Sequence, residues 1–130
     1  MTKKVLITGA SGGFGKLTVL TLLQKGNQIA ATMRDVNGRN KIVADELRNA
    51  GAIVLEIDVT DDKSVTNGVQ NALSELNGLD VLINNAGVGV LGMQEFFTTD
   101  DFQKVFDINV FGVQRMNRAV FHIFEKNRTD

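Results

Sequence analysis

The sequence predicts an α/β fold: a parallel sheet covered by helices, in the order βαβαβαβα. Three observations predict it. Short, β-branched apolar runs recur four times, each bounded by glycine or polar residues. Helical patterns fill the gaps between them. A glycine follows each of the first three helical patterns, a few residues before the next apolar run. Strands that alternate with helices need right-handed crossovers and therefore run parallel.

The elements follow in order. Val5 to Thr8 is the first strand and ends at Gly9. Phe14 to Lys25 is helical, with Leu17, Leu20 and Leu23 expected on its buried face. Ile29 to Met33 is the second strand, and Asn40 to Ala50 a short polar helix carrying Ile42, Val43 and Leu47. Ile53 to Val59 is the third strand; runs this apolar suit a sheet buried on both faces. Asp62 to Asn77 follows as an amphipathic helix, with Val65, Val69, Ala72, Leu73 and Leu76 along one stripe. Val81 to Ile83 is the fourth strand, and the longest helix runs from Asp101 to about Lys126. Gly26, Gly51 and Gly78 supply left-handed stops after the first three helices. Thr98 and Asp101 have the spacing of an acidic capping box at the start of the last.

Composition narrows the chemistry. A chain of 130 residues fits one domain. Fourteen basic against 15 acidic residues give a net charge of -1, which argues against a nucleic-acid partner. There is no cysteine and one histidine, His122, expected at a partly exposed helical position. Disulfides, thiol nucleophiles and metal sites of the Cys or multi-His kind are thereby excluded, and no metal site is expected. No apolar run approaches the ~20 residues of a membrane span. Lys3 and Lys4 precede only three apolar residues, too few for a signal peptide. A cytoplasmic protein with no membrane partner is the expectation.

The first strand runs directly into Thr8-Gly9-Ala10-Ser11-Gly12-Gly13-Phe14-Gly15, and a helix follows. A helix N-terminus offers free N–H groups and partial positive charge to a phosphate, and glycines let the backbone come close. Two phosphate motifs compete here. A P-loop needs Ser or Thr directly after Lys16, where this chain has Leu17. The alternative, Thr-Gly-x-x-x-Gly-x-Gly, is a dinucleotide fingerprint with a wider first gap.

These residues, with three further motifs, resemble the short-chain dehydrogenase/reductase family. Asp58-Val59 follows the third strand, Asn84-Asn85-Ala86-Gly87 the fourth, and Asp107-Ile108-Asn109-Val110-Phe111-Gly112 lies in the last helix. Ala31 to Asp35 and Val90-Leu91-Gly92 look most like the branch with 17β-hydroxysteroid and retinol dehydrogenases. The resemblance covers residues 3 to about 120 and implies a Rossmann-type, doubly wound parallel sheet. It further implies hydride transfer between a nicotinamide dinucleotide and a small-molecule carbonyl or alcohol. Gly9, Ser11, Gly12, Gly13, Phe14 and Gly15 would cradle the cofactor's phosphates. Arg34 lies just past the second strand, where a guanidinium can pair with a 2′-phosphate and so selects NADP. Asp35 beside it could instead bind the 2′-hydroxyl of NAD, the alternative cofactor. Asp58 and Val59 would contact the adenine, and Gly87, in the cofactor-binding run Asn85-Ala86-Gly87, would let the backbone approach the ribose, while the Asn84 and Asn85 side chains tie neighbouring strands together. Asn109 would support a proton relay.

The family's catalytic Ser, Tyr and Lys have no counterpart here. The chain contains no tyrosine, and its serines are Ser11, Ser64 and Ser74. The expectation is therefore the N-terminal, cofactor-binding half of a dehydrogenase domain, inactive by itself. A non-catalytic dinucleotide-binding or interaction module is the alternative. Seven of the eight phenylalanines lie at or beyond Phe96, and the last helix is apolar almost all round. Such a helix is expected to be buried on several sides. With its partners absent, self-association through it or through the fourth strand's edge is expected, or marginal stability. The text after Val120 departs from the apolar-Pro-His run of relatives, as a reading-frame slip would produce.

Overall fold

The computed structural model describes residues 1–129. β1 (Lys4–Ile7), β2 (Gln28–Met33), β3 (Ile53–Glu56) and β4 (Val81–Ile83) form one parallel sheet in the order β3-β2-β1-β4. Leu6 at its centre stands beside Ala30 on one side and Leu82 on the other. The helices are α1 (Gly13–Gln24), α2 (Lys41–Asn49), α3 (Asp62–Leu76), α4 (Thr99–Phe106) and α5 (Gly112–Thr129). A π-helical turn, Asp107–Phe111, joins α4 to α5 in one continuous helical stretch.

Side-chain alternation along the strands makes two cores. Val5, Ile7, Ile29 and Ala31 point to one face, where Val19 of α1 and Leu47 of α2 cover them. Leu6 and Ala30 point to the other, under Val65 and Val69 of α3 and Met116 and Val120 of α5. This is a doubly wound Rossmann-type sheet. Its strand order reverses between β1 and β4, and the crevice above such a reversal is where ligands bind in open α/β sheets.

The expected stops are present. Gly26 and Gly51 take positive φ after α1 and α2, and α3 ends through Asn77 and Gly78, both left-handed. Asp61 caps α3, and Thr98 with Asp101 forms the capping box of α4.

Three expectations need correction. Leu17 does not join the buried face of α1: it is 62% exposed. Gly15 and Val19 are the buried residues, backed by Leu20 and Leu23 as expected and by Leu22. Gly15 must face the glycine loop, and Leu17, about 200° around the helix from it, then points to water. β3 is shorter than the apolar run. The Ile57 N–H still reaches the Met33 carbonyl at 3.1 Å, but the Asp58 N–H turns to Ser64 Oγ at 2.8 Å and the chain leaves the sheet. The last helix is neither a single α-helix nor buried on several sides. Gly112, Met116 and Val120 are its buried positions, whereas Phe102, Phe106, Val110, Phe111 and Phe121 are exposed. The sheet, α3 and the loop after β4 meet this stretch, and those phenylalanines and Val110 stay exposed.

β4 is half-buried throughout and lies at a sheet edge. His122 is exposed, 3.4 Å from Glu125. Among the described residues no helix is long and apolar enough to cross a membrane.

Candidate cofactor site

The loops after β1 and β4 interlock above the sheet. The buried Thr8 hydroxyl accepts from the N–H groups of Asn85 and Ala86, at 3.1 and 3.0 Å. Asn85 Nδ2 donates to the Gly9 carbonyl at 2.9 Å. Asn84 reaches instead to α5, donating to Asn117 Oδ1 at 2.9 Å. The approach leaves no space for side chains. A Cβ on Gly9 would lie 2.8 Å from the Ala86 Cα, and one on Gly15 2.2 Å from the Gly9 oxygen.

The N-terminus of α1 is left bare. Gly12 is its N-cap and brings no side-chain acceptor. The N–H groups of its first turn therefore have no partner within the helix and face outward. α3 and α4 differ, because Asp61 and Thr98 satisfy theirs. A site that withholds its own cap keeps donors and partial positive charge for an outside anion.

A cleft of about 490 Å³ opens here. Gly9, Ser11, Gly12 and Phe14 form one side, and Met33, Arg34, Arg39 and Asn40 the side beyond β2. Ile57, Asp58 and Val59 line it from the end of β3, Asn85 to Val88 from the end of β4, and Ile108 from the π turn. Most residues expected at the site thus meet in one cleft. Gly13 and Gly15 do not line it. Gly13 bends the chain into α1 with φ +53, and Gly15 packs beneath the loop. Asp35 also stands outside it. Its backbone is left-handed, its carboxylate accepts from the Arg39 N–H at 2.8 Å, and its own N–H donates to Glu56 at 2.7 Å.

Arg39 is a lining residue that sequence reasoning missed. It precedes the N-cap of α2, and Asn40 Nδ2 holds the turn by donating to the Arg34 carbonyl at 2.5 Å. Two arginines, Arg34 and Arg39, therefore line the cleft together with Asp58, and Arg34 is close enough to act on the Asp58 charge. Burial pushes the Asp58 carboxyl up, but the Thr60 hydroxyl and N–H, then Arg34 and Arg115, outweigh this and hold it below the ordinary carboxylate range.

Asn109 lies in the π turn. Its Oδ1 accepts from the Val88 N–H at 2.9 Å and its Nδ2 donates to the Val88 carbonyl at 2.8 Å. A poor helix former is thus spent on clamping the loop after β4 to the last helical stretch.

A model of the short chain dehydrogenase family matches residues 3–129. The chain is 38% identical over 125 residues to 3-ketodihydrosphingosine reductase of Bacteroides thetaiotaomicron, covering 95% of this chain and 43% of that protein. It is 42% identical over 122 residues to the NADPH-dependent 1-acyldihydroxyacetone phosphate reductase of Schizosaccharomyces pombe, covering 92% and 40%. The fold superposes with a TM-score of 0.86 on 3-ketoacyl-(acyl-carrier-protein) reductase from Brucella melitensis complexed with NADH. That match has 32% identity and covers 96% of this chain and 51% of the other. The chain spans about half or less of the length of the proteins it matches. Glycine loop, cleft and comparisons agree, and the chain belongs to the short-chain dehydrogenase family.

Proposed function

We propose that the chain is the cofactor-binding part of a short-chain oxidoreductase and that its cleft takes NADP in preference to NAD. One observation carries the preference: Arg34 and Arg39 both line the cleft, and Arg34 lies close enough to Asp58 to act on its charge. Two guanidinium groups suit a 2′-phosphate, and the acidic Asp35 that would suit a free 2′-hydroxyl is engaged in its own turn. The uncapped start of α1 suits the pyrophosphate. Asp58 and Val59 suit the adenine, and the glycine-lined edge at Gly87 the ribose. The relatives support either cofactor, since one is named NADPH-dependent and another is complexed with NADH.

A bound nicotinamide would supply the hydride donor or acceptor for a carbonyl or alcohol. The residues of this chain bind and orient it, while Asn109 holds the Val88 loop beside it. The 130 residues contain no tyrosine to serve as the family's acid, so they bind cofactor without turning it over. The exposed phenylalanines of α4 and α5, with the β4 edge, support self-association.

Calorimetric titration of NADPH and NADH into the chain and its Arg34→Asp variant tests the preference. One charged hydrogen bond is worth about 1.5–3 kcal/mol, so NADPH should bind roughly 10- to 150-fold more tightly to the wild type. Arg34→Asp should abolish or reverse that ratio. An NADPH affinity that ignores the substitution would overturn the reading.

A further inference from the structure

We propose that Arg115 is the positioning residue that sets the distance between the two opposite walls of the cleft. It lies on the first turn of α5, with its side chain 19% exposed, and it does not line the cleft itself. Its Nη1 donates to the Val59 carbonyl at 2.9 Å and to the Asp107 carbonyl at 3.1 Å. Its Nη2 donates to Asp107 Oδ1 at 2.6 Å, and its Nε lies 3.4 Å from Asp62 Oδ1. One planar group therefore holds the end of β3, the first turn of α3 and the start of the π turn together.

The consequence runs to both walls. Val59, with Asp58, is the wall at the end of β3. Asp107 opens the π turn, and its carbonyl also accepts from the Gly112 N–H that closes that turn. Two residues on, Asn109 grips both polar groups of the Val88 backbone, and Ile108 and Val88 form the facing wall. The chain of contacts is Val59, Arg115, Asp107, Asn109, Val88. Gly112 tightens it, because a Cβ there would lie 2.8 Å from Val59 Cγ2. Only an arginine fits the central position. Its fork serves three acceptors at fixed angles, whereas lysine brings one point charge. An apolar side chain would fill the same space without the desolvation cost.

The variant is Arg115→Lys, read in two ways. Without ligand, amide hydrogen exchange at Val88 should quicken about tenfold or more, while Ala30 in β2 and Val69 in α3 stay within about twofold. With ligand, NADPH, which spans both walls, should lose about tenfold in affinity, whereas adenosine 2′,5′-bisphosphate, which reaches one wall, should change less than about twofold. A purely structural arginine would weaken both ligands alike and release protection across the sheet. Either result would overturn the proposal, as would unchanged exchange at Val88. The second readout rests on the cofactor reading above. If the wild type binds neither ligand, that reading fails, and the exchange pattern alone decides for or against Arg115.

Discussion

Replacing Gly15 by alanine probes the contact on which the whole site is built. The new Cβ would lie 2.2 Å from the Gly9 oxygen and 2.6 Å from Asn85 Nδ2. Ordinary contact begins near 3.4 Å, so α1 or the loop must retreat by about 1 Å. Overpacking of this kind costs about 1–3 kcal/mol. Losing the bond from Asn85 to the Gly9 carbonyl adds about 1 kcal/mol. Alanine's better helix propensity returns about 1 kcal/mol. The net expectation is a loss of about 2 kcal/mol. Urea unfolding followed by far-UV circular dichroism measures it. With a slope of about 1–3 kcal/mol/M, the midpoint should fall by roughly 1 M. Gly89→Ala is the control, since nothing lies within 4 Å of its Cβ position. It should stay within about 0.5 kcal/mol of the wild type. A Gly15→Ala chain as stable as the Gly89→Ala chain would refute the argument that close approach, not chain flexibility, requires glycine there.

Asp58 and the helical surface give two further outcomes. The Asp58 carboxyl is held below its ordinary range, so it stabilises the fold above the unfolded value of about 4, and that contribution is lost as pH falls through the lower folded value. Asp58→Asn should therefore flatten the acid limb of the stability profile, and superimposable limbs would contradict the assignment. Phe106 and Phe111 are about half exposed on the last helical stretch. Sedimentation velocity should find the chain self-associated at micromolar concentration and the Phe106→Ser/Phe111→Ser variant shifted toward monomer. A wild type that stays monomeric throughout would count against association through this surface.

The sheet was legible in the sequence because each strand is a short apolar run with a glycine or polar residue at its end. The stops were legible for the same reason: Gly26, Gly51 and Gly78 stand where a left-handed residue is needed. Helix rotation was not. Leu17, Leu20 and Leu23 looked like a face, but close packing of Gly15 against Gly9 turned α1 so that Leu17 points outward. Local pattern cannot reveal a contact that depends on how the glycine turn folds back over six residues. The π turn was hidden likewise, since its first residue, Asp107, is held by Arg115, whose guanidinium also binds the Val59 carbonyl of another element. Most of the cleft's lining followed from motifs. Arg39 escaped because it belongs to no motif and reaches the cleft through the turn that Asn40 and Asp35 fold. Asp35 was expected at the cofactor, but its carboxylate is needed by the Arg39 N–H four residues on.

The central claim is that these residues form a nicotinamide dinucleotide site. Titrating NADPH into the ¹⁵N-labelled chain, with amide shifts followed by NMR, tests it most directly. Saturable shifts are expected at Ser11, Gly12, Gly13, Arg34, Arg39, Asp58, Val59 and Gly87, with residues at the far end of the sheet, such as Asp80, unmoved. An absence of shifts at millimolar NADPH, or shifts confined to the exposed face of α4 and α5, would contradict it.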